Sequence, residues 1–137
     1  MATLSLPMAV LGRALLGLYF LIPGISKITG FEGMLAYMTQ HGVPLTVPLL
    51  VLTTVLQIGG GLALIAGWQT RVTALVFAGL TLVINLFMHD FWNVYEGGNQ
   101  GHELQNFIKN LGIFAGLLVL AAHGAPRGSL DARAGRP

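Results

Sequence analysis

Residues 85–110 read NLFMHDFWNVYEGGNQGHELQNFIKN. An apolar run enters this stretch and is followed closely by Asn85, His89 and Asp90. A Gly-rich loop comes next, and polarity continues through Gln105, Asn106, Lys109 and Asn110 into another apolar run. The stretch is therefore a junction between two hydrophobic segments, with polar residues on both sides of one loop. Reading outward from it gives four segments, approximately Leu4–Lys27, Leu45–Gly67, Val72–Phe91 and Leu104–Ala122. Each can cross a hydrocarbon core of about 30 Å, which takes about 20 helical residues.

Composition agrees. The 137 residues are 54% hydrophobic and 9% charged, whereas a soluble domain carries about a quarter charged residues. So few charges cannot solvate a globule, and a bilayer is the natural solvent. The net charge is only +2, and three of the seven basic residues (Arg127, Arg133, Arg136) lie near the C-terminus. That pattern fits a membrane surface and not a nucleic-acid partner. The chain has no cysteine, which excludes thiolate metal sites and disulfide relays.

The expected fold is an all-α four-helix transmembrane bundle over residues 1–126, followed by a basic cytoplasmic tail over 127–137. Between the first two spans, Phe31, Met34, Leu35 and Met38 recur at helical spacing. They predict a short interfacial helix closed by Gly42 and Pro44. The first span lacks a basic leader, carries Arg13 inside its apolar run and shows no cleavage pattern, so it reads as a retained helix. Pro23-Gly24 is expected to kink or loosen its last turn. Arg71 and the three C-terminal arginines share one side of a four-span chain. The positive-inside rule then puts both termini in the cytoplasm and the polar loop outside.

Helical spacing gives each span one small and polar face. Arg13, Gly17, Gly24 and Lys27 align on the first. Thr53, Gln57, Gly60, Gly61 and Trp68 align on the second, and Ala74, Ala78, Thr81, Asn85 and His89 on the third. On the fourth, Gln105, Lys109, Gly112 and Gly116 align, with Asn106 and Asn110 on an adjoining arc. Lipid cannot hydrogen-bond polar groups, so these faces are expected inside, with the small residues letting helices approach.

Two polar sets follow from depth. Arg13, about 13 Å along its span, is expected near the midplane with Gln57. Its partner is expected to be Gln57, backbone carbonyls or an anion, with snorkelling as the alternative. Lys27, Asn85, His89, Asp90, Lys109 and Asn110 gather in the outer half as candidate ligand-binding residues. Interfacial anchoring, with Trp92 and Tyr95 in an aromatic belt, is the plainer alternative. Asp90 is expected to pair with Lys27 or Lys109, since an unpaired buried carboxylate is costly. No metal site is expected. His89 and His123 lie at opposite ends, and His102 approaches His89 only if the loop folds inward.

GRALLGLYFLIPGISKITGF (residues 12–31), HDFW (residues 89–92) and FIKNLGIFAGLLVLAAHGAPRGSLDAR (residues 107–133) resemble the DoxX family of small bacterial inner-membrane proteins. The resemblance implies a four-helix inner-membrane protein. For some members it also implies a subunit of a quinone-linked oxidoreductase system, and for others a partner of detoxification enzymes. The expected function is thus the membrane subunit of a redox system. Its quinone or small-anion site would lie in the outer half of the bundle. Quinone is the cofactor the resemblance suggests; the residues themselves name none. The alternatives are a carrier of a small solute or lipid, and an assembly or accessory factor for another membrane protein. Beyond the lipid bilayer, a redox or membrane-protein partner and a homo- or hetero-oligomer are expected.

Overall fold

The computed structural model describes residues 2–137, with side chains from Thr3 onward. Six helices follow one another: α1 Ala2–Thr29, α2 Phe31–Gln40, α3 Thr46–Ala66, α4 Thr70–Met88, α5 Gln100–His123 and α6 Leu130–Arg133. Among the described residues there is no strand. Helices α1, α3, α4 and α5 are long and apolar enough to span a membrane, and the chain is a four-helix membrane bundle. Its outer surface is apolar: Leu11 and Val119 are each 60% exposed, as suits contact with hydrocarbon and not with water. α2 is the short connecting helix. α1 runs through Pro23 without ending, although the proline leaves the Tyr19 carbonyl without its usual helical donor.

The spans pack as two close pairs, α1 with α3 and α4 with α5. Glycines set the first pair. A Cβ on Gly17 would lie 2.6 Å from the Gly61 carbonyl oxygen, and one on Gly61 would lie 2.8 Å from the Gly17 carbonyl oxygen. Gly24 likewise sits against Gln57 and Ile58. The pairs meet in the half nearer the termini, where Phe20 and Phe77 stack with ring centres 4.0 Å apart. Leu64, Ala74, Ala78 and Leu117 complete this core.

The face expected inside on the last span differs from the one observed. Lys109 and Gly112 are exposed, and a Cβ added at Gly112 or Gly116 would meet open space. Asn110 and Leu117, on the adjoining arc, are the buried residues of α5. α5 therefore turns its larger side chains to α4 and leaves its glycines on the outside.

At the end carrying both termini, charged side chains finish three helices. Helix ends leave backbone groups without intrahelical partners. Arg13 Nε donates to the Leu64 carbonyl at 2.9 Å and Nη2 donates to Gly128 at 2.9 Å, so it completes the C-terminus of α3. Arg71 Nη1 donates to the Ala122 carbonyl at 2.5 Å, at the C-terminus of α5. The Asp131 carboxylate accepts from the Gln69 and Thr70 backbone N–H groups at 2.7 and 2.8 Å. It thereby caps α4, where the helix dipole also favours an anion. Burial alone would raise the Asp131 carboxyl, but the Thr70 and Gln69 donors and nearby Arg136 hold it below the ordinary value. The tail segment thus folds back onto the bundle, with Ser129 capping α6 through the Ala132 N–H. Arg13 lies level with the closing turn of α3, about two turns from Gln57 along that helix, and of the expected partners it takes backbone carbonyls.

Candidate functional site

Towards the polar-loop end the two helix pairs part, and a cleft of about 1210 Å³ runs between them. Its lining on α1 extends from Leu15 to Lys27, about 18 Å at helical rise. Most of the wall is apolar. Leu15, Leu18 and Ile22 of α1 and Val76 and Val83 of α4 belong to the lining and are also exposed. The cleft therefore opens sideways onto the surface that the bilayer covers. Ordinary ligand pockets occupy about 300–1000 Å³, so this one has room for a head and an apolar tail.

Polar side chains enter the cleft at two levels. Deep in it, Gln57 belongs to the lining and is only 4% exposed, and its Oε1 has no hydrogen-bond partner. Gly24 is what lets α1 lie over this side chain. Nearer the loop, Lys27, Tyr37, His89, His102, Glu103 and Asn106 line the walls. His89 Nδ1 is 3.0 Å from Glu103 Oε2, a contact made because Asn99 caps the start of α5 through the His102 N–H and sets Glu103 in its first turn. Tyr37 donates to the Met88 carbonyl at 3.0 Å and so ties α2 to the end of α4. Burial and the neighbouring Glu103 carboxylate push the Tyr37 hydroxyl well above the ordinary tyrosine range.

The six expected ligand-binding residues separate. Lys27, His89 and Asn110 line the cleft. Asn110 is already engaged, its Oδ1 accepting from Tyr19 at 2.8 Å and bridging α5 to α1. Asn85 is buried and gives its Nδ2 to the Phe107 carbonyl at 3.0 Å, while its Oδ1 is unpartnered. Lys109 is exposed on the outside of α5 and is not among the lining residues.

Asp90 also lies apart, and its partner is neither lysine. Its Oδ1 is 2.6 Å from His41 Nδ1, and its Oδ2 accepts from Asn93 at 3.0 Å and from the Tyr95 hydroxyl. The His41 ring lies between Tyr37 and Tyr95, each ring centre 4.2 Å away. Burial works against the charged carboxyl, yet the Asn93, Tyr95 and His41 hydrogen bonds outweigh it and hold Asp90 below its ordinary value. A flat imidazole packed between two rings enters this buried corner at less cost than a strongly hydrated ammonium. That is why His41 takes the position expected for Lys27 or Lys109. The result is a latch joining α2 to the polar loop.

Glu103 was legible as a candidate. Glu103, Asn106 and Asn110 stand at i, i+3 and i+7 on one face of α5, and that face is the one turned inward. His41, Tyr37 and Tyr95 lie in segments with no polar periodicity to draw attention to them.

The DoxX family model matches residues 8–90. The chain belongs to the DoxX family. It is 41% identical over 123 residues to the inner membrane protein YqjF of Escherichia coli (strain K12), covering 89% of this chain and 88% of YqjF. It is 31% identical over 124 residues to the inner membrane protein YphA of the same organism, covering 90% and 88%. No solved structure matches. This DoxX protein is accordingly an integral inner-membrane protein, and the cleft lies between its spans. The matched residues 8–90 carry Lys27, Tyr37, Gln57 and His89, whereas Glu103 and Asn106 come from the helix that follows.

Proposed function

We propose that this DoxX protein is the membrane subunit of a redox system and that the cleft between its helix pairs binds a quinone-type ligand. The observation that carries the reading is an apolar cleft, open to lipid, with the unpartnered amide oxygen of buried Gln57 and polar side chains near the loop. An apolar slot with a few placed polar groups suits a ring with an isoprenoid tail. Lys27, His89, Glu103 and Gln57 would hold the polar part, and the exposed apolar lining would hold the tail. When bound, a quinone supplies reversible transfer of two electrons and two protons. A small anion fits less well, because the Glu103 carboxylate belongs to the lining and Lys109 does not. Both termini are cytoplasmic in this reading, following the basic residues at their end; a reporter fused after Pro137 should be active only in the cytoplasm.

The site is tested by photolabelling the protein in lipid nanodiscs with an azido-substituted decylbenzoquinone, followed by peptide mass spectrometry. Label on the cleft walls of α1, α3 and α4, displaced by excess decylbenzoquinone, is the expected result. Label spread over the outer faces and not displaced would overturn the reading in favour of an accessory protein.

A further inference from the structure

Resting on that reading of the cleft, we infer that the site recognises the reduced, hydroxyl-bearing form of its ligand, with His89 Nε2 accepting a hydrogen bond from a ligand hydroxyl. His89 is held by Glu103 through Nδ1 at 3.0 Å, and both side chains line the cleft. A carboxylate only accepts hydrogen bonds, so the proton of this contact sits on Nδ1. In the neutral imidazole the carboxylate thereby fixes the tautomer and leaves Nε2 with a free lone pair. Glu103 is the one partner found for the ring among the described residues. A quinone carbonyl offers this nitrogen nothing, whereas a hydroquinone O–H is the donor it lacks.

The other polar lining groups do not reverse the preference. The Tyr37 hydroxyl spends its proton on the Met88 carbonyl and is left as an acceptor. The amides of Gln57, Asn106 and Asn110, the Thr53 hydroxyl and the neutral His102 ring each both donate and accept, so they serve either redox form. The Lys27 ammonium, the only lysine or arginine in the described lining, donates equally well to a carbonyl or a hydroxyl oxygen. Discrimination therefore rests on the His89–Glu103 pair. A site whose acceptor is left unpaired by the wrong ligand discriminates strongly, because the half-buried His89 ring loses its remaining solvation under the ligand without compensation.

The test compares binding of decylbenzoquinone and its dithionite-reduced hydroquinone to the intact protein in nanodiscs, by calorimetry under argon. The hydroquinone should bind about tenfold tighter or better, and His89→Phe should abolish the difference while the quinone still binds. Glu103→Gln provides a second variant. Its amide can donate to Nδ1 and move the imidazole proton to Nε2, which should narrow or invert the preference. Equal binding of the two forms by the native protein, or tighter quinone binding, overturns the inference and leaves the quinone-type site standing. Binding of neither form overturns both.

Discussion

At the end that carries the termini, Arg13, Arg71 and Asp131 each complete a helix through backbone groups. At the opposite end, Gln57, His89 and Lys27 face a cleft with hydrogen-bonding capacity unused. Both regions place polar side chains inside a lipid-facing bundle, which is costly unless something compensates. In the first region the compensation is internal, since orphan carbonyls and N–H groups of helix ends accept or donate what the charges need. In the second, on the function proposed above, it is left to a bound ligand. An unpartnered polar atom points to a site only where it also faces the cleft, as Gln57 Oε1 does and as Asn85 Oδ1 and Thr70 Oγ1 do not.

The largest expected effect comes from forcing open the closed half. A valine side chain at Gly61 would meet the Gly17 carbonyl and the backbone of Leu21, which cannot shift without separating α1 from α3. Gly61→Val should cost more than about 3 kcal/mol, at or beyond the usual range for overpacking, and show as a loss of monodisperse protein in detergent. Gly112→Val, where open space lies, should leave the thermal midpoint unchanged. Equal damage at both positions would show that the α5 glycines are packed against something in the membrane.

This contrast also shows what was legible in the sequence. The four spans and the α4 face of Ala74, Ala78, Thr81 and Asn85 could be read because apolar length and helical spacing are local properties, and all four of these residues are buried. The α5 face was misread because Gly112 and Gly116 resemble a packing motif. In fact, the glycines that make the close contact are Gly17 and Gly61, on helices separated by a connecting segment. Asp90 was recognised as needing a partner, but His41 stands 49 positions away. Such a pairing is set by how α2 returns over the loop, which spacing alone does not encode.

Asp131→Ala should rank next. It leaves the Gln69 and Thr70 N–H groups without their acceptor, and orphaned buried donors cost about 1–3 kcal/mol each. A loss of about 3 kcal/mol is expected, with Asp131→Asn retaining part of the contact and part of the stability. Trp68 stands beside this end and Trp92 beside the other, so fluorescence can assign the damage. Disturbance of Trp92 before Trp68 would contradict the assignment of Asp131 to the terminal end.

A smaller effect belongs to the Asp90 latch. Its carboxyl is held below the ordinary value, so its contribution is fully present above the unfolded pKa of about 3.9. It is lost as pH falls through the lower folded value. The Trp92 signal of the Trp68→Phe protein should be flat near neutral pH and change only in acid, and Asp90→Asn should abolish that change. A transition that survives in Asp90→Asn would assign the change to a group other than the Asp90 carboxyl.

The smallest effect on stability carries the most information about the cleft. Gln57 holds a buried amide oxygen with no partner, and such a group costs stability in the free protein. Replacing it by leucine of similar length removes that cost, so Gln57→Leu should stabilise the bundle by about 1 kcal/mol, a gain typical of relieving a functional site. The same change should weaken the binding of decylbenzoquinone in either redox form, because the amide serves both. A structural polar group behaves in the opposite way, as Asp131→Ala is expected to do, losing stability with no ligand at stake. Thermal midpoints and binding measured on one preparation separate the two cases. If Gln57→Leu lowers the midpoint, the amide has a partner within the fold, and the two ends of the bundle do not differ in the way proposed.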